Sequence, residues 1–177
     1  MLDDGTVHGF VQPMLDCALI WAEQNAPRPA FPYATLRWLR SEEGSRPIAR
    51  PWYGAVNADG LMVVETPMQD TLEIQVFGPS ALNILDTLRQ RLGFSTTQDN
   101  AFLHGIAVLS CGPVLNISAL LETIWEERAA MELTLGHVMR GADVVGLIEK
   151  VQATGTLPGG GAPVPLSLNI EMETPHG

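Results

Sequence analysis

A chain of 177 residues, 46% of them hydrophobic, suffices for one domain with an appended tail and for a core that needs no metal or disulfide framework. Its 10 basic against 20 acidic residues, a formal charge of −10, carry the wrong overall sign for phosphate-driven DNA or RNA binding. The start MLDDGTVHGF has acids where a secretory signal has Lys or Arg, and no run nears the roughly 20 apolar residues that span a bilayer, so a soluble protein is expected.

The first helix is expected from about Gly9 to Gln24, with Val11, Met14, Leu15, Ala18, Trp21 and Ala22 at helical spacing. Asp3, Asp4 or Thr6 offers a cap, Pro13 is tolerable only near a first turn, and Asn25 with Pro27-Arg28-Pro29 ends the element. Tyr33 to Leu39 alternates as a short strand. Ser41 to Pro51, with its Gly, Pro and Ser, reads as a loop. Leu61–Thr66 and Thr71–Phe77 read as adjacent antiparallel strands joined by a turn at Pro67-Met-Gln-Asp70.

After Phe77 the period changes. Ala81, Ile84, Leu85, Leu88 and Leu92 form one helical stripe, with Pro79 suited to the first helical position and Gly93 to the C-terminus. Phe102 to Ser110 reads as a strand ended by Gly112-Pro113. The segment ALLETIWEERAAMELTLG (119–136) has helix composition but strand alternation in its second half. A helix would put Arg128 inside the apolar stripe. We therefore read Ala119–Thr123 as a short turn or helical piece and Trp125–Val138 as one arm of a long hairpin. Met139–Asp143 would turn it, and 143–154 would form the other arm. Past the break Pro158-Gly-Gly-Gly-Ala162, the residues Val164, Leu166, Leu168, Ile170 and Met172 alternate with polar ones. That tethered strand suits addition to a sheet edge, across a subunit boundary or on a tail tube.

Several segments resemble the neck-terminator or tail-completion proteins of tailed bacteriophages. They are LEIQVFGPSALNILDTLRQRL (72–92), GPVLNISALLETIWEERAAMELTLGHV (112–138) and VVGLIEKVQATG (144–155). The shared pattern is Gln75–Gly78, Asn116–Ser118, Leu120–Thr123, Glu126–Ala129 and Val145–Glu149, with Pro29-Ala-Phe-Pro-Tyr33 similar to the family's proline-aromatic stretch. The resemblance covers about residues 10–155, and the glycine-linked C-terminal strand lies outside it. It implies an α+β fold, a mostly antiparallel sheet with a long hairpin flanked by two main helices. It also implies a tail-terminator-like virion subunit assembled as a ring between head connector and tail. Related terminators commonly form hexamers, although these residues do not set a copy number. Residues 1–155 would be one domain and 156–177 an extension.

For catalysis the sequence offers little. His8, His104, His137 and His176 lack metal-ligand spacing. Nucleophile-elbow and phosphate-loop motifs are absent, and Gly159-Gly-Gly161 leads into Ala-Pro-Val-Pro rather than a helix. Glu122, Glu126 and Glu127 could be acid–base carboxylates, but a solvated strand entry with Arg128 or a neighbouring subunit as ion-pair partner is the better reading. Cys17 and Cys111 are expected as small buried hydrophobes. Trp38, Trp52, Tyr53 and Trp125 suit core or interface anchoring.

The leading expectation is thus a non-enzymatic ring subunit without cofactor. Its partners are itself, a head connector or adaptor, and a tail or tail-tube protein; DNA slides through the lumen without specific binding, and no membrane is involved. The candidate contact residues are Arg37, Arg40, Arg46, Arg50, Trp52, Glu126, Glu127, Arg128, Val164, Leu166, Leu168 and Ile170. The alternative is a small soluble binding module or accessory enzyme.

Overall fold

The computed structural model describes residues 1–25, 27–44, 52–56, 61–121, 123–143, 150–157 and 164–171; for 52–56, 121, 143, 150–157 and 164–171 the backbone alone is described. The chain divides into two compact units, Met1–Trp52 with Glu65–Arg140, and Tyr53–Val64 with Gly141–Gly177. The fold is α+β with a mostly antiparallel sheet, as expected. Among the described residues, no helix is long and apolar enough to cross a membrane.

The first helix lies earlier than the periodicity places it. α1 spans Asp4–Val11, because the Asp3 carboxylate accepts the Thr6 N–H at 3.0 Å and caps the entry. A 3-10 turn, Gln12–Met14, carries Pro13. Gln12 then reaches across the bend: its Nε2 donates to the Cys17 carbonyl and its Oε1 accepts the Leu19 N–H. Those bonds pull the chain into a strand, β1 (Ala18–Trp21), that runs parallel to β2 (Tyr33–Glu43). Residues read as the second half of one helix are therefore an edge strand.

β2 extends past the expected Leu39 after an irregularity between Trp38 and Arg40, and Ser41–Glu43 belong to the strand rather than to a loop. β3 is Trp52–Val56. β4, Met62–Phe77, is one strand of 16 residues, so the expected turn at Pro67–Asp70 does not exist. Pro67 is tolerated because its carbonyl faces the end of β2, where it accepts the Gly44 N–H. The missing proline N–H would point the same way and costs only a bond at the ladder's end.

α2 (Ala81–Leu92) keeps the predicted stripe, with Ala81, Leu85, Leu88 and Leu92 buried. Pro79 stands before the helix, not in its first position, and Ser80 at φ +64° is the N-cap. The helix α3 (Ser95–Leu103) has no counterpart in the sequence reading. It shortens the expected strand to β5, Ala107–Cys111. The stretch 119–126, read in part as a turn or helix, folds as the hairpin of β7 (Ala119–Leu121) and β8 (Ile124–Glu126), preceded by β6 (Leu115–Asn116). β9 then runs Arg128–Asp143, straight through the expected turn at Met139–Asp143.

The main sheet has the order β1-β2-β4-β9-β5, with β3 on β4 and β6 on β9. Cross-strand side-chain contacts Thr71–Thr134 and Glu65–Arg140 fix the β4–β9 register, and their residue numbers have the same sum, as antiparallel pairing requires. One sheet face carries Ala34 and Leu36 of β2, Leu72, Ile74 and Val76 of β4, and Ala129, Met131, Leu133 and Leu135 of β9. All are buried in a single core with Val7, Phe10 and Val11 of α1 and the α2 stripe. Each large side chain so buried contributes about 1.5–3 kcal/mol. The opposite face is mixed: Tyr33 opposes Phe77, Thr35 opposes Gln75, and Arg37 opposes Glu73.

The expected hairpin of Trp125–Val138 with 143–154 does not form among the described residues: β9 lies between β4 and β5. β10 (Lys150–Leu157) pairs antiparallel with β11 (Val164–Glu171), from Lys150 opposite Glu171 to Leu157 opposite Val164. The expectation that Val164–Met172 pairs outside its chain gives way to this ladder. The domain boundary drawn at 155/156 falls inside β10.

Candidate functional site

The sheet end where β2 begins, β4 ends and β9 begins carries an open surface groove. Gly78 leaves β4 at φ +103°, and a Cβ there would meet the Phe31 ring at 2.9 Å, so only glycine allows both the left-handed turn and the ring's approach. The Gly78 N–H donates to the Glu127 carbonyl at 2.9 Å, and the Ser80 N–H donates to Glu127 Oε2 at 2.9 Å. Glu127 thus ties the start of β9 to the entry of α2. Glu126 accepts from Arg128 Nε at 2.8 Å.

Beneath them runs a stack. Phe31 lies on Tyr33 with centroids 5.6 Å apart, Tyr33 on Phe77 at 5.0 Å, and the Arg128 guanidinium sits 5.1 Å over Phe77. Stacked rings and a cation on a ring face add to area burial and hold the parts in one geometry. Phe31, the outer ring of this stack, also lines an open groove of about 620 Å³ with Gly78, Pro79, Ile124, Trp125, Glu126 and Glu127. Ile124 is 73% exposed, Trp125 63% and Phe31 52%. Solvated apolar side chains are thus grouped on a built scaffold.

The apolar lining suits binding. Both groove carboxylates are occupied by internal donors. Burial pushes the Cys17 thiol up, helped by Asp16; burial also pushes Cys111 up, against the pull of Arg89. Neither half-buried, free thiol is an activated nucleophile.

A separate polar cluster lies on the core side of the sheet. Asp70, fully buried, accepts the Ser41 hydroxyl and the Leu2 N–H, the latter at 2.6 Å. His137 Nε2 lies 3.0 Å from Asp70 Oδ2, out of line for a hydrogen bond. Burial pushes the Asp70 carboxyl up, but Ser41, Leu2 and the charge of His137 outweigh it and hold the group below its ordinary value. The cluster fastens the chain start to β2, β4 and β9.

Of the sequence-derived candidates, Glu126, Glu127 and Arg128 meet at the groove. Arg37 pairs instead with Glu73 at 2.9 Å, and Arg40 with Glu42 at 3.6 Å. Trp52 opens β3, while Arg46 and Arg50 lie outside the described residues. Val164, Leu166, Leu168 and Ile170 alternate along β11. Trp38 stacks on Trp21 at 5.5 Å and donates to Asp4, an anchoring role inside the subunit. The sequence reading missed Phe31, Pro79 and Ile124 as site residues. The Pro-Phe-Pro context and the adjacency of Ile124 to Trp125 were the signals, but only the fold brings residue 31 to residue 125.

No curated protein matches the chain in a sequence comparison. The sequence pattern of the family described as phage neck terminator protein matches residues 5–160, from α1 through β10, and the chain belongs to that family.

Proposed function

We propose that this structural neck protein is one subunit of a closed ring at the head–tail junction, ending the tail or joining it to the head connector. Family membership carries the reading, and the uncovered apolar groove supports it, since a subunit that acts by assembly needs surface to bury. The satisfied carboxylates and raised thiols agree with a scaffold rather than a catalyst.

Its partners are further copies of itself, the connector and a tail protein. The net charge of −10 suits a lumen that repels passing DNA and lets it slide. Light scattering after size exclusion tests the ring, with the chain alone and with its connector and tail proteins. A discrete ring under either condition supports the reading. A strict monomer under both overturns it.

A further inference from the structure

The Glu126-Glu127-Arg128 triplet stands where the β7–β8 hairpin joins β9, and each of its side chains is engaged inside the subunit. Alternation along an extended chain sends Glu126 and Arg128 to one side and Glu127 to the other. On the first side Glu126 accepts from Arg128, whose guanidinium lies 5.1 Å over Phe77. On the second, Glu127 Oε2 accepts the Ser80 N–H while its main-chain carbonyl accepts the Gly78 N–H, both at 2.9 Å. The Arg128 backbone closes the hairpin's base: its N–H donates to Ser118 Oγ at 3.0 Å, and its carbonyl accepts the Ile117 N–H at 3.0 Å.

The parts so joined do not hold themselves. Among the described residues β7 and β8 pair only with each other, and an isolated hairpin is barely stable in water. Its Ile124 and Trp125 are largely solvated, so their burial does little to fix its position. Opposite them, the turn Gly78-Pro79-Ser80 carries two left-handed residues, at φ +103° and +64°. For serine that conformation is uncommon and persists where the surroundings hold it. Ser80 supplies no side-chain cap to α2; the acceptor for its N–H comes from Glu127.

We infer that the triplet is a mounting for the groove, with Glu127 as the positioning residue that holds Pro79 on one wall at a fixed spacing from Ile124 and Trp125 on the other. The carboxylate shapes the site from behind and is not itself the contact. The inference rests on the assembly reading above only for what the groove meets. Walls set in advance lose less conformational freedom on burial than walls that must first be brought together.

Glu127→Ala removes the side-chain tie, and Glu127→Gln keeps an acceptor oxygen for Ser80. In Glu127→Ala, native-state exchange of the Ser80 amide should quicken roughly fivefold, the worth of one hydrogen bond, and the Gly78 and β7–β8 amides should quicken with it. Assembly, alone or with connector and tail proteins, should weaken about tenfold as the walls lose their preset spacing. Glu127→Gln should restore both. Asp3→Ala, at the cap of another helix, controls for general destabilisation and should move neither. Quickening confined to Ser80, or a Glu127→Ala chain that assembles like wild type, would overturn the inference. So would a Glu127→Gln chain that assembles as poorly as Glu127→Ala, since the charge itself would then be the contact. Wild type that stays monomeric under every condition would overturn the ring reading alone, because amide exchange reads the mounting without a partner.

Discussion

In β9, Ala129, Met131, Leu133 and Leu135 alternate with polar or small residues and are buried in one core with α1 and α2. The register of β10–β11 sorts residues just as cleanly. Val151, Ala153, Gly155 and Leu157 oppose Ile170, Leu168, Leu166 and Val164, so one face of the ribbon is wholly apolar. The other face holds Lys150, Gln152, Thr154 and Thr156 with Pro165, Ser167, Asn169 and Glu171. The described helices all belong to the first unit; the described elements of the second are strands. Alternation thus builds a face in both regions, and in the first a helical stripe covers it. A two-stranded ribbon is marginal alone.

The contrast can be broken hardest in the core. Leu85→Ala removes a fully buried side chain from the α2 stripe and should cost about 3 kcal/mol, read as a lower midpoint in urea. An unchanged midpoint would mean that α2 does not secure the sheet.

Asp70→Asn comes next, at about 2–3 kcal/mol near neutral pH, because it unbalances a buried hydrogen-bonded carboxylate. The sign with pH follows from the lowered folded value. The unfolded chain binds the proton more readily, so this stabilisation is present above the ordinary carboxylate range. It is lost as pH falls through the folded value. Wild type should therefore weaken below about pH 4, and the variant should lose part of that acid dependence. Parallel acid profiles for the two proteins would refute the assignment.

Asp3→Ala deletes the α1 cap and should cost about 1 kcal/mol, visible as faster amide exchange in the first turn of α1. The smallest change sharpens the ribbon side of the comparison. Gly155 stands opposite Leu166 on the apolar face, and Gly155→Val should stabilise the pair by about 0.5–1 kcal/mol and slow exchange of the β10 and β11 amides. Destabilisation would instead reveal a backbone or partner that approaches this glycine closely.

Much of this was legible in the residues. The α2 stripe, the alternation from Ala129 to Leu135 and the strand character of Val164–Ile170 are local periodicities, and local periodicity survives folding. The misreadings share a cause, tertiary override. Ala18–Trp21 has helical spacing, yet Gln12 fastens it as a strand beside β2. Pro67 signals a turn, yet its carbonyl faces the end of β2 and the strand continues. α3 has almost no amphipathic pattern and buries only Ala101, so no stripe announced it. The Glu-Glu-Arg run was legible as a strand entry with an ion pair, and Glu126–Arg128 is that pair.

By itself, then, the sequence determined the fold class, the residues of the core faces and a family resemblance that the family pattern over residues 5–160 bears out. Tertiary structure alone decided the continuity of β4 and β9, the partner of β11, and the meeting of Phe31 with Trp125 in one groove. The physical reason is range. Side-chain periodicity is written into neighbouring residues, whereas strand partners and surface hollows depend on residues far apart in the chain.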